Sequence, residues 1–227
     1  IITEEGLNIL IDPFISNNPA CQIPVEEFNP DIILVTHGHS DHLGDAMELS
    51  NKNNVPVAAI HEISLFLSKQ GINNIGVNIG GSFIYRGVKF TMLDAKHSSV
   101  LDIVEEPLPA GDAASFLITL EDGTKLFHAG DTGLFGDMKT IIGEIYKPDI
   151  ALLPIGDKFT MGPFEAALAT RWIDSKVAIP MHYNTFPPIE QDPSIYANFV
   201  SQLNPNIDVV ILNPGEYFEY NPENYQD

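Results

Sequence analysis

The chain has 227 residues, of which 44% are hydrophobic, and its mean hydropathy of +0.03 excludes a disordered chain. The 31 acidic and 11 basic residues give a net charge of −20, which argues against nucleic acid or an anionic membrane as a partner. No apolar stretch approaches the roughly 20 residues that span a bilayer. No charged-then-apolar leader is recognisable either, so we expect a cytoplasmic protein. The single cysteine, Cys21, excludes an internal disulfide.

The chain begins with an α/β pattern, and we expect one domain over residues 1–227. Residues 7–12 alternate as a strand, and the sequence before them resembles the end of another strand, so we expect that an N-terminal strand is missing. The segment 13–30 is a loop that fits a pocket lining as well as a plain surface connection. Residues 31–35 form a continuous apolar run, which is typical of a buried parallel strand.

The most informative segment follows this strand directly and contains three histidines and an aspartate: His37, His39, Asp41 and His42. A parallel strand places such side chains at the carboxyl edge of a sheet, where α/β folds form their sites. In an extended backbone His37 and His39 project to the same side and can reach one metal ion. Asp41 and His42 lie where the next helix opens, predicted at 43–50, and there a carboxylate is favoured and can meet a second ion. A helix N-cap followed by surface histidines is the alternative, which the spacing disfavours.

The middle of the chain adds another histidine at a strand end. Residues 55–60 predict a buried strand and residues 61–70 a helix that begins at His61. Three short glycine-punctuated strands are then predicted as an antiparallel meander, at 75–79, 82–85 and 88–93. His97 follows the last of them and is our third ligand for the first ion. The acidic, proline-rich segment 101–112 is predicted to be a flexible connection that could act as a lid.

A hairpin formed by residues 114–120 and 125–129 leads to Asp131, which lies between two glycines. Glycine lets the backbone approach closely, and the two oxygens of a carboxylate can bridge two cations. His128 precedes Asp131 by three residues and so lies on the opposite face of the strand. We expect His128 and Thr132 to support the ligands from behind rather than to bind metal.

The last third of the chain repeats the alternation of strands and helices. The predicted elements are strands at 149–154, 176–180 and 208–212, helices at 163–174 and 193–203, and an edge segment at 216–220. His182 directly follows a strand, and we assign it to the second ion. The loop 156–162 leaves another strand tip and offers Asp157, Lys158 and Thr160 to a substrate, although a helix-capping turn fits it equally well.

The order of these ligands, each after a strand, resembles the metallo-β-lactamase superfamily over nearly the whole chain. Three further segments resemble a small group of metal-dependent hydrolases related to the ascorbate-6-phosphate lactonases: 130–133, 154–162 and 180–183. The resemblance implies an α/β fold, a four-layer αββα sandwich of two mixed sheets flanked by helices. It puts one ion on His37, His39 and His97, and the other on Asp41, His42 and His182, with Asp131 between them. Members of this group usually carry an early Gly-His-Ser segment, which has no match here.

The ligand set has imidazole and carboxylate but no thiolate, so it suits two divalent ions such as zinc, our first choice, or manganese, iron or nickel. Two ions roughly 3.5 to 4 Å apart share a water and lower its pKa from about 15.7 toward about 7, which provides a bridging hydroxide as nucleophile. Asp131 and Asp41 are predicted to be catalytic, Asp41 by passing a proton to the leaving group. We therefore predict a hydrolase of a small ester, lactone or phosphoester.

Two other functions share these ligands. A nuclease or phosphodiesterase of the tRNA-processing kind has to hold a polyanion, and the charge of −20 and the lack of a basic patch count against it. The other is not hydrolytic: a mononuclear iron dioxygenase or a metal-binding module. We expect a small-molecule substrate as the partner, whose identity the sequence leaves open, as it does the oligomeric state.

Overall fold

The structure, a computed structural model, describes residues 1–225 as an alternation of short strands and helices. The strands are β1 (Ile9–Ile11), β2 (Ile32–Leu34), β3 (Val57–Ile60), β4 (Asn74–Val77), β5 (Ser82–Tyr85), β6 (Val88–Asp94), β7 (Val100–Leu101), β8 (Leu108–Pro109), β9 (Ala114–Thr119), β10 (Lys125–His128), β11 (Ile150–Pro154), β12 (Val177–Met181) and β13 (Asp208–Val209). The α-helices are α1 (Ser40–Leu43), α2 (Ala46–Asn53), α3 (His61–Lys69), α4 (Pro163–Ile173) and α5 (Pro193–Leu203). A π-helix spans Met138–Tyr146, and 3₁₀-helices span Val25–Glu27, Pro187–Ile189 and Pro222–Tyr225.

The first sheet has the strand order β1-β2-β3-β4, and its strands pair in parallel. Ile9 lies opposite Ile32 and Ile11 lies opposite Leu34, so β1 and β2 end at the same level. Every residue of β2 is fully buried, as its continuous apolar sequence predicted. This register brings Asp12, directly after β1, beside the residues that follow β2.

The second sheet is mixed and has the strand order β13-β12-β11-β10-β9-β6-β5. The predicted hairpin is confirmed, since β9 and β10 pair in antiparallel fashion with Phe116 opposite His128. The strands β10 to β13 pair in parallel, with Leu152 opposite both His128 and Ile179. The carboxyl ends of β10 and β12 therefore lie at the same edge of the sheet. Asp131 and His182 follow these two strands and leave the sheet at that edge.

The chain divides into two compact units, residues 1–86 with 90–115 and residues 87–89 with 116 onward. In the first unit, side chains such as Ile33, Val57 and Leu67 are fully buried. In the second unit, Phe127 and Tyr196 are fully buried. The domain boundary of 1–227 stays a prediction. No helix among the described residues is both long enough and apolar enough to cross a membrane.

The predicted helix 43–50 is wrong in one respect, because two helices, α1 and α2, occupy this region. Gly44 separates them with a φ of 40°, and a Cβ at this position would lie 2.3 Å from the carbonyl oxygen of Pro13. The break lets the carboxylate of Asp45 accept the backbone N–H groups of Ile15 and Ser16 at 2.8 and 2.9 Å. The loop 13–30 is thereby fastened to the segment that carries the predicted ligands.

The predicted meander is wrong in part, because its first strand belongs to a different sheet from the other two, which are neighbours. β4 pairs in parallel with β3, with Asn74 opposite Val57, whereas β5 and β6 lie in the second sheet. The sequence β3, α3, β4 is a strand-helix-strand unit, which favours parallel pairing over a meander.

Four further segments differ from expectation. The segment 101–112 contains the last residue of β7 and all of β8, which pair as a short antiparallel ribbon that was not expected. The predicted strand 208–212 is reduced to β13, and the edge segment 216–220 forms no strand in the described chain. The π-helix Met138–Tyr146 was not among the predicted elements.

Tyr196 in α5 makes a buried contact with α4. Its hydroxyl lies 2.6 Å from the hydroxyl of Thr170, which itself donates to the carbonyl oxygen of Ala166 at 2.9 Å. Tyr196 therefore donates to Thr170. Burial raises the pKa of Tyr196 above its ordinary value, because the charged phenolate would lose its hydration.

We expect Tyr196→Phe to lower the free energy of unfolding at pH 7 by about 1 kcal/mol, because the Thr170 oxygen loses its donor. Above about pH 10 the tyrosine ionises in the unfolded wild-type chain but stays neutral in the folded chain. Its contribution to stability is therefore lost as the pH rises, at about 1.4 kcal/mol per pH unit, and the variant lacks this slope. Urea unfolding at pH 7 and at pH 10 to 11 measures both effects. Tyr217→Phe, at a position 87% exposed, should keep the wild-type slope, and equal slopes in all three proteins would contradict the prediction.

Candidate metal centre

Three of the predicted ligands, His37, His39 and His97, lie together within the first unit. One ring nitrogen from each lies within 4.8 Å of those of the other two. Nε2 of His37 and Nδ1 of His39 are 2.8 Å apart, near the edge of about 3.3 Å that two nitrogens span on a tetrahedral zinc ion. The three rings meet edge to face, with centroids 4.5 to 5.2 Å apart. This arrangement agrees with the prediction that they share one ion.

Asp12, which the sequence analysis passed over, organises the ligand segment. Its Oδ1 accepts the backbone N–H of Thr36 at 2.8 Å, and its Oδ2 accepts the hydroxyl of Thr36 at 2.7 Å. The same Oδ2 lies 2.8 Å from Nδ1 of His42. A carboxylate accepts only, so Nδ1 of His42 carries the proton and Nε2 keeps the lone pair that a metal requires.

The hydroxyl of Thr36 extends this arrangement to His37. Its oxygen lies 3.0 Å from Nδ1 of His37, and its proton already goes to Asp12. Thr36 therefore accepts from Nδ1 of His37, which leaves Nε2 of His37 as the ligand atom. One aspartate thus sets the tautomers of two buried histidines, His37 at 0% and His42 at 4% exposure.

Asp41 lies in the first turn of α1, after His39 at the N-cap. Its Oδ2 is 3.8 Å from Nε2 of His42, the nitrogen that the contact with Asp12 leaves as an acceptor. The side chain of Asp41 is 29% exposed, whereas that of His42 is 5% exposed. Asp41 is therefore the member of this pair that a molecule in solution can reach.

The second unit holds the other predicted ligands, Asp131 and His182. Oδ1 of Asp131 lies 3.4 Å from Nε2 of His182, and Asp131 is 4% exposed. His182 has a φ of 54°, a strained conformation for a residue that is not glycine. His128 accepts the backbone N–H of Gly130 at its Nδ1, at 3.2 Å, so it steadies the turn before Asp131.

The residues predicted to meet a substrate form a local turn in the second unit. The backbone N–H of Thr160 donates to the carbonyl of Asp157 at 2.7 Å, and Lys158 lies 5.4 Å from the ring centroid of Phe159. Thr132 is buried, and its carbonyl oxygen accepts the N–H of Met161 at 2.9 Å, which ties this turn to the strand end that carries Asp131. The roles of Asp157, Lys158 and Thr160 stay predictions.

The chemistry of these donors fits a divalent metal. Two ligand tautomers are set by hydrogen bonds behind the rings, as at metal sites in general. The donors are imidazoles and carboxylates, and the thiol of Cys21 instead lies 3.5 Å from the carbonyl oxygen of Ile23, in the loop 13–30. The set therefore suits zinc, manganese, iron or nickel without choosing among them.

Comparison with known proteins identifies the family that the chain resembles. Residues 7–183 match the model of the β-lactamase superfamily domain. A UPF0173 metal-dependent hydrolase of Methanosphaera stadtmanae is 57% identical over 95% of this chain and 93% of that protein. A UPF0173 metal-dependent hydrolase of Methanopyrus kandleri is 49% identical over 95% of this chain and 93% of that protein. A solved metallo hydrolase from Ignicoccus hospitalis superposes with a TM-score of 0.86 at 38% identity, covering 96% of this chain and 94% of that one.

This chain belongs to the metallo-β-lactamase superfamily. The family and the fold predicted from the sequence are confirmed: the protein is α/β with the metallo-β-lactamase fold. Its relatives at 57% and 49% identity place it in the group of UPF0173 metal-dependent hydrolases, so the predicted enzyme class is confirmed as well.

In this metallo-β-lactamase family member, Asp12→Asn tests the role of the supporting carboxylate. Asparagine keeps the size but replaces one acceptor oxygen by an NH₂ donor, so it cannot accept all three hydrogen bonds, those from the backbone N–H and the hydroxyl of Thr36 and that from His42. We expect zinc affinity to fall by about 10- to 100-fold, measured by competition with a chromophoric chelator.

Asp31→Asn is the matched control. Asp31 lies beside β2 and accepts the backbone N–H of Asn8 at 2.9 Å and a hydrogen bond from Arg86 at 2.6 Å. Its contacts support the strand and not a histidine, so zinc affinity should stay within about twofold of wild type. Equal losses in both variants would mean that Asp12 acts only through the stability of the sheet.

Proposed function

We propose that this protein is a hydrolase that uses two divalent cations to cleave a small ester, lactone or phosphoester. The observation that carries the proposal is the meeting of His37, His39 and His97, with ligand atoms within 4.8 Å of one another. Three histidines from two separate strand ends, among them His37 with its tautomer set by Thr36, are poorly explained as a packing arrangement, because neutral imidazoles gain little from such proximity. They are well explained as one end of a metal site.

The proposed second ion is bound by Asp41, His42 and His182, with Asp131 bridging the two. The contact of Asp131 with His182 and that of Asp41 with His42 support these pairs. When bound, such ions supply a water of lowered pKa and polarise the scissile oxygen. Asp12 holds the proton of His42 at Nδ1 throughout, so the ligand nitrogen stays available.

The exposed carboxylate of Asp41 is the group that we assign to proton transfer. It can accept a proton at Oδ2 and deliver it to the leaving group, while Asp131 is too buried, at 4% exposure, to exchange protons with solvent easily. Zinc is the metal that we propose first; its protein ligands include histidine nitrogen and carboxylate oxygen, and manganese, iron or nickel fit the same donors. A cytoplasmic location and a small-molecule substrate are further parts of the proposal, supported by the composition.

His37→Ala and Asp131→Ala should each abolish turnover and lower metal content, because each removes a proposed ligand. Metal content is measured by mass spectrometry on protein loaded with zinc or manganese, and turnover on a panel of lactones, thioesters and phosphodiesters. His61→Ala is the control: His61 is exposed at the start of α3, and its loss should change neither quantity.

Metal content also separates the proposed hydrolase from its alternatives. Two ions per chain with hydrolysis would support the proposal. One iron per chain with oxygen consumption would replace it with a dioxygenase, and salt-dependent RNA binding in the nanomolar range would favour a nuclease. Equal losses in all three alanine variants would mean that the substitutions report stability rather than ligation.

A further inference from the structure

The ribbon 99–110, which contains β7 and β8, lies against the segment that carries the metal ligands. Val100 pairs with Pro109 and Leu101 pairs with Leu108 in antiparallel fashion. The ribbon is anchored at its base, because Leu101 is 3% exposed and Ala110 is fully buried. The backbone N–H of Ala110 also donates to the carbonyl of Ser99 at 3.3 Å, which closes the base. It is therefore an ordered element.

The base of the ribbon rests on Gly38, the residue between His37 and His39. A Cβ on Gly38 would lie 2.7 Å from Cβ of Ala110 and 2.8 Å from the carbonyl oxygen of Val100, so any larger residue would displace the ribbon. The backbone N–H of Gly38 donates to the hydroxyl of Ser99 at 3.3 Å. The glycine of the ligand segment is thus required by the ribbon that lies over it.

A second contact joins the residue after β7 to α1. The hydroxyl of Ser40 donates to Oδ2 of Asp102 at 3.4 Å, and Ser40 lies between His39 and Asp41. Glu105 and Glu106 follow Asp102 by three and four residues, so their backbones lie within about 14 Å of it even if the chain is fully extended. This distance from Asp102 to the two glutamates is comparable to the Debye length, which is about 10 Å at 0.1 M salt.

The tip of the ribbon, residues 102–108, is both apolar and acidic. Ile103 is 38% exposed and Leu108 is 48% exposed, which leaves apolar surface beside the acids Asp102, Glu105 and Glu106. The sequence from 97 to 112 has no lysine or arginine. A molecule that meets this tip finds apolar surface and negative charge.

We propose that the ribbon forms one wall of the substrate entrance and selects neutral or cationic acyl compounds, that is esters and lactones, against phosphate anions. The inference rests on the proposed function and narrows its substrate class. The apolar side chains favour an apolar acyl group, and the three carboxylates raise the energy of an approaching anion. Asp102 and the two glutamates act on binding, so their effect belongs in KM rather than in kcat.

The test is Glu105→Lys with Glu106→Lys, which changes the charge at the tip by four units. At about 20 mM salt we expect kcat/KM for the anion bis(4-nitrophenyl) phosphate to rise about fourfold through KM, as four unit charges about 12 Å away in water would give with a Debye length of about 20 Å. The rise should vanish at about 500 mM salt, where the charges are screened. The kcat/KM of the same variant for neutral 4-nitrophenyl acetate should stay within about twofold of wild type.

Glu4→Lys with Glu5→Lys is the matched control, because it makes the same change in net charge. Glu4 and Glu5 are exposed in the turn before β1, at the opposite end of that strand from Asp12. The control variant should have the wild-type kcat/KM for both substrates. An equal gain in both double variants, or no gain in the ribbon variant, would overturn the proposal.

Calorimetric binding of inorganic phosphate to the zinc-loaded proteins tests the ribbon without turnover. We expect the ribbon variant to bind phosphate about tenfold more tightly than wild type at low salt, and the control to match wild type. Tighter binding without hydrolysis of any substrate would overturn the proposed function and support the ribbon. Hydrolysis with unchanged phosphate affinity would overturn the ribbon and support the proposed function.

Discussion

The ligand segment depends on the carboxylate of Asp12. Asp12 has a φ of 47°, and a residue other than glycine in this region costs about 1 to 3 kcal/mol. The strain is offset by three hydrogen bonds to one charged group, from Thr36 twice and from His42 once, each of the kind that contributes about 1.5 to 3 kcal/mol. The strained turn persists because it holds the start of the ligand segment and the tautomer of His42 at the same time.

The places of the proposed ligands were predictable because each follows a strand whose type is clear from a few residues. His37 to His42 lie within one short segment after a fully apolar strand, and Asp131 and His182 follow strands that are equally clear. Asp12 was not predictable in the same way, because its partner is 24 residues away and is fixed by the register of β1 on β2. Its signal in the sequence was an aspartate at the end of the strand next to the ligand strand, a signal that requires the strand order to be known.

The errors in the predicted fold have the same origin as the failure to predict Asp12, namely contacts between segments that are far apart in the sequence. β4, β5 and β6 were recognised as strands, but glycine-rich turns between short strands do not tell which sheet each strand joins. The segment 101–112, which contains most of the ribbon, was predicted to be a flexible connection because its composition is acidic and rich in proline. Its order comes from tertiary contacts, Ala110 against Gly38 and Asp102 with Ser40, which no local pattern contains. Local propensity therefore predicted the elements, and long-range packing decided their arrangement.

The division between scaffold and loops explains why the ligands are clear while the substrate is not. Asp12, Asp131 and His182 are held at strand ends by backbone pairing and by strained turns, so their positions follow from the sheets themselves. The proposed substrate contacts fall instead on segments with few constraints from the sheets, the turn 156–162 and the tip of the ribbon. The ribbon is unusual in being fixed at its base by the glycine between two ligands while its tip is exposed. A change of residues at the tip can therefore alter which molecules reach the metals without disturbing the ligands.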